Sequence, residues 1–83
     1  MPPTVFERVA AVLINKFHVE PAKITLDART GLDLGLDLFD EVELIFELED
    51  EFGIKLMEDA LENDFRTVGK FVEHITAQIT PKT

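Results

Sequence analysis

Residues 33–53 read Asp33-Leu34-Gly35-Leu36-Asp37-Leu38-Phe39-Asp40-Glu41-Val42-Glu43-Leu44-Ile45-Phe46-Glu47-Leu48-Glu49-Asp50-Glu51-Phe52-Gly53. Asp37 is a good helix N-cap, because its carboxylate can accept a backbone N–H left unpaired in a first turn. Asp40, Glu41 and Glu43 suit the positive end of the helix dipole. Gly53 readily takes the left-handed backbone that ends a helix. A helix over about 38–52 follows. On a wheel of about 100° per residue, Leu44, Ile45, Leu48 and Phe52 form one apolar face. Phe39 and Phe46 fall roughly 145–165° from the centre of that face, and Val42 about 105°. Asp40, Glu43, Glu47 and Asp50 are interleaved with them. A purely solvated face has no use for two phenylalanines. With Val42 they follow the i, i+3, i+7 spacing that suits a partner's groove. The carboxylates would steer a basic partner and fix its register. The competing reading tucks one or both phenylalanines under the long loop that precedes the helix. Glu41 falls on the core side, where its first-turn position would let it reach water at the end of the bundle.

Working outward, Thr4-Val5-Phe6-Glu7 has the form of a capping box. Phe6, Val9, Ala10, Leu13 and Phe17 then recur at helical spacing, giving a first helix over about 4–17 that Pro21 bars from continuing. Residues 18–36 form a long connection studded with Ile24, Leu26, Leu32, Leu34 and Leu36. A bare loop of that length is uncommon, so these five side chains are expected to pin it across the core, with one short turn inside. Met57 to Glu62 can form a brief helix. Thr67 caps a last one whose stripe is Val68, Phe71, Val72, Ile75 and Ile79. Pro81-Lys82-Thr83 is expected to fray. No segment alternates as a strand would. The fold class is all-α, a bundle of three main helices plus one short helix with a long first loop, in one domain over 1–83.

The chain has 83 residues and a formal net charge of -9, with no Cys, Trp or Tyr and also no Ser. Disulfides, thiolate metal sites and cysteine or serine nucleophiles are therefore excluded. The charge is concentrated: residues 33–64 hold 13 acidic groups and one base, Lys55, for a net of -12, while the remainder carries 4 acidic and 7 basic groups. Nucleic acid and anionic membranes would repel such a segment, and partners with basic patches would not. No stretch is long enough to insert in a bilayer, and the start lacks the pattern of a secretory signal, so a cytoplasmic location and a monomer are expected. Asp33, Asp37 and Asp40 open like a calcium loop, but counting from Asp33 puts Leu44 where the twelfth-position Glu belongs, so no metal site is expected. His18 and His74 are each alone, with no nucleophile to activate, and read as surface or capping residues. An enzyme is not expected.

The stretch from Asp33 to Ile54 resembles the acyl carrier protein family, whose pattern reads D-L-G-x-D-S-L-D-x-V-E-L followed by an acidic run ending in E-F. The resemblance extends from Val5-Phe6-Glu7-Arg8-Val9 to Phe71-Val72-Glu73-His74-Ile75. It implies a bundle of three main helices plus a short one. It also implies a 4'-phosphopantetheine arm on the serine of D-S-L, the arm's thiol bearing an acyl chain. Here Asp37-Leu38-Phe39 stands in place of that motif. Leu38 has no nucleophilic oxygen, so this chain carries no such cofactor at that position. Thr30, the closest upstream hydroxyl, lies outside the motif. Leu38 fits an engineered, non-modifiable carrier or a natural homologue that carries nothing, and Phe39 as a second departure favours the natural one. As a first-turn leucine, Leu38 would otherwise simply cover the end of the core.

By the same resemblance, Asp37, Phe39, Asp40, Glu43, Phe46, Glu47 and Asp50 match the family's partner-docking face. The implied partners are acyl-chain synthases or transferases of fatty acid or related biosynthesis. The family's acyl cavity would be lined here by Leu44, Ile45, Leu48, Leu56, Leu61, Val68 and Phe71, with Phe65 and Phe71 leaving little room. The alternative function is a scaffold or regulatory subunit that uses the acidic helix without any acyl-carrying role.

Overall fold

A capping box opens the first helix, α1 (Val5–Phe17): the Thr4 hydroxyl accepts the Glu7 N–H at 3.1 Å, and the Glu7 carboxylate accepts the Thr4 N–H at 2.9 Å. The computed structural model describes residues 2–63 and 65–80, so the tail Pro81-Lys82-Thr83 lies outside the described residues. α1 ends at His18, whose φ of 57° is left-handed and whose N–H reaches the Ile14 carbonyl at 3.2 Å. α2 spans Leu38–Phe52, α3 Met57–Glu62 and α4 Val68–Ile79. Asp37 caps α2 reciprocally with Asp40, at 2.8 and 3.3 Å, and Gly53 ends it at φ 65°. The Thr67 hydroxyl accepts the Lys70 N–H at the start of α4. Apart from one isolated bridge between Arg29 and Thr67, the described residues are helix, turn and loop.

α1 packs on α4 and α2, and α3 packs on α2. Leu13, Leu44, Leu48, Leu56, Val68 and Ile75 are wholly buried between them. The stripes read from periodicity supply all of these but Leu56, which lies just before α3, because burial of an amphipathic face is what holds such short helices together.

The first loop contains a 3-10 turn at Pro21–Lys23. Its anchorage differs from the expectation. Ile24 and Leu36 are buried and Leu34 partly so, but Leu26 and Leu32 are exposed. Backbone atoms take over: the Leu26 carbonyl accepts the Gly69 N–H at 2.9 Å and the Ala28 carbonyl accepts the Val68 N–H at 3.0 Å. These bonds satisfy two first-turn N–H groups of α4 that the helix itself cannot pair. A Cβ at position 69 would stand 2.9 Å from the Leu26 carbonyl oxygen, so the approach requires glycine. Thr30 donates its N–H to the Arg66 carbonyl at 2.9 Å and its buried hydroxyl to the Glu41 carboxylate at 2.7 Å. Glu41 is therefore half-buried against Thr30, not turned out to water at the bundle end.

Candidate functional site: the outer face of α2 and its groove

The loop leaves the outer face of α2 uncovered. Phe39 is 82% exposed and Phe46 52%, with Val42 between them at 37%. Glu43 and Asp50 are exposed beside this seam, Asp40 and Glu47 are half-buried, and Asp37 is exposed at the cap. α2 contains no base, so nothing on the helix neutralises these carboxylates. Leu38 is the first helical residue and 74% exposed; it does not cover the end of the core.

Beside this face lies an open groove of about 340 Å³. Leu38, Glu41, Val42 and Ile45 of α2 form one wall; Met57, Ala60 and Leu61 of α3 form the other. Phe65 and Phe71 close the floor, with ring centroids 5.0 Å apart at an edge-on 72°, and Asn63 and Arg66 complete the lining. The two phenylalanines thus bound the space without filling it. Of the seven residues expected to line a cavity, Ile45, Leu61 and Phe71 do so. Leu44, Leu48, Leu56 and Val68 are wholly buried in the closed core instead. Leu61 is 80% exposed, at the rim.

α3 has no buried residue of its own and is held by polar clips. The Glu49 carboxylate accepts the N–H groups of Leu56 and Met57, at 2.7 and 3.1 Å, capping α3 from a neighbouring helix. From α4, the Gln78 amide donates to the Lys55 carbonyl at 2.6 Å and to the Asp59 carboxylate at 3.3 Å. His74 stands 3.7 Å from that carboxylate, with its ring centroid 4.5 Å from that of Phe65. His74 is thus a half-buried packing residue, not the isolated surface histidine expected. Local spacing carried no signal for these long-range clips.

Electrostatically, hydrogen bonds from the Arg29 side chain and N–H hold Asp33 below the usual carboxylate range, and the ion pair adds to this. Its partner's guanidinium is raised by the same contacts. The Thr4 cap lowers Glu7 likewise. Among the described residues no group of three or more His, Asp or Glu is placed to hold a metal ion, and no helix is long and apolar enough to cross a membrane.

Residues 7–75 match the family described as "Phosphopantetheine attachment site". The chain is 40% identical over 76 residues to the acyl carrier protein of Amoebophilus asiaticus (strain 5a2), covering 92% of this chain and 94% of that protein. It is also 40% identical over 72 residues to the acyl carrier protein of Onion yellows phytoplasma (strain OY-M), covering 87% and 93%. The residues present do not fit covalent attachment of the group for which that family is described. Leu38 offers no oxygen, and the Thr30 hydroxyl upstream is buried and committed to Glu41.

Proposed function

The chain belongs to the acyl carrier protein family, and from that membership we propose that it docks on acyl-chain-building enzymes without carrying a chain itself. Acyl carrier proteins are carriers and not catalysts, and this chain is not an enzyme. The docking surface is the outer face of α2, and the partners are synthases or transferases with basic patches, in fatty acid or related biosynthesis. One observation carries the reading: Leu38, where the resemblance puts the attachment serine, is a first-turn residue with an acidic, apolar face exposed beside it. Phe39 is almost uncovered and Phe46 half covered within the molecule, and an aromatic group bracketed by carboxylates is favourable once a partner buries the ring and pairs the charge. Long-range attraction to a basic patch speeds encounter and weakens with salt.

Binding to an acyl-chain synthase with a basic docking patch tests this. Phe46→Ala should weaken binding at least about fivefold, and raising the salt should weaken it further. Binding indifferent to both changes would remove the docking role. Recovery of an unrelated complex, equally indifferent to changes in α2, would favour a scaffold or regulatory subunit.

A further inference from the structure

We propose that the groove beside α2 receives an apolar side chain of the partner, and that the occupant is a basic amphipathic helix with one large anchor residue. The inference rests on the docking reading above and deepens it. Leu38 and Val42 belong both to the exposed face and to the groove wall. A segment laid along Phe39, Val42 and Phe46 therefore passes over the groove mouth. The volume of about 340 Å³ sits at the low end of pockets that take small molecules, so it suits one bulky side chain. Leu38 and Leu61 are 74% and 80% exposed at the rim, and an occupant would cover them.

Charge selects the flanks of the anchor. Glu43 and Glu47 stand on the α2 side, with Glu58 and Glu62 on α3. Lysines or arginines one helical turn from the anchor would meet the exposed carboxylates of Glu43, Glu58 and Glu62, while Arg66 lies in the groove lining itself. A second copy of this chain brings another net charge of -9 and is repelled. A helical occupant can pack its own side chains between the ridges of the seam, as helices pack on one another. Because no tether can form at Leu38, the groove is left to a non-covalent occupant. Aromatic anchors seated in pockets carry much of the energy in such interfaces.

The chain has no Trp and no Tyr, so a tryptophan in the probe reports alone. The probe is an amphipathic Lys/Leu helical peptide with one central Trp, set against the same peptide with Ala at that position and against a scrambled peptide. The Trp peptide should bind about tenfold tighter than the Ala peptide, with its emission shifted to the blue. On the unaltered chain it should move the backbone amide resonances of Phe65 and Phe71, at the groove floor. Ala60→Phe, which fills the groove, should abolish the Trp advantage, so that the Trp and Ala peptides bind alike. If the peptides bind in a Phe46-dependent way but with no blue shift and still floor resonances, the anchor is overturned and docking stands. If no peptide binds and Phe46→Ala leaves partner binding unchanged, both fall. Preference for the scrambled peptide, or dimerisation of the chain through the groove, would overturn the choice of occupant.

Discussion

The two faces of α2 use similar residues to opposite ends. Leu44 and Leu48 on the inner face are wholly buried, while Phe39 and Phe46 on the outer face are 82% and 52% exposed. Both sets share one helix, one cap and one stop. Only rotational phase separates them. The inner set is spent on the core, where each buried side chain contributes about 1.5–3 kcal/mol. The outer set leaves much of its apolar surface in water, which on the docking reading is what a partner covers. Apolar content therefore does not tell where a residue goes, and phase does.

The largest expected effect is on the inner face. Leu48→Ala should cost about 2–5 kcal/mol of stability in urea unfolding, because it opens a cavity among wholly buried neighbours. A loss under about 1 kcal/mol would break the contrast from the inside. Next comes the hydrogen bond from Thr30 to the first turn of α2. Thr30→Val should cost about 1–3 kcal/mol, because it strips the donor from the half-buried Glu41 carboxylate. On the outer face, Phe46→Ala should change stability by no more than about 0.5 kcal/mol in the same unfolding experiment. A cost like that of Leu48→Ala would mean that both faces serve the fold. The smallest effect lies in the loop bordering α2. The Asp33 carboxyl, followed by NMR, should titrate below an ordinary aspartate, and Arg29→Ala should bring it back up. Because the folded value is depressed, the stabilisation is present above the usual carboxylate range and is lost as pH falls through the lowered value. An ordinary midpoint in the unaltered chain would dissolve that clasp.

The helices, their caps and the two faces of α2 could be read from period and punctuation: Thr4 with Glu7, Asp37, Gly53 and Thr67 all stand where the chain needs them. The groove lining was less legible. The most apolar helix positions, such as Leu44 and Val68, are those that pack completely, whereas a groove is lined by residues at the border between faces. Where neighbouring helices leave a gap cannot be found from the phase of one helix. The loop's hold on α4 runs through the carbonyls of Leu26 and Ala28, which have no side-chain signature; the missing Cβ of Gly69 is the one trace. Glu49 capping α3 and Gln78 clipping it act between helices, beyond any local spacing.

On the proposed reading the chain has a docking face and no attachment residue. Intact mass after incubation with a phosphopantetheinyl transferase and coenzyme A tests it most directly. No change is expected for the chain as it stands, and a single added arm is expected on Leu38→Ser. A mass increase on the Leu38 chain would contradict that reading.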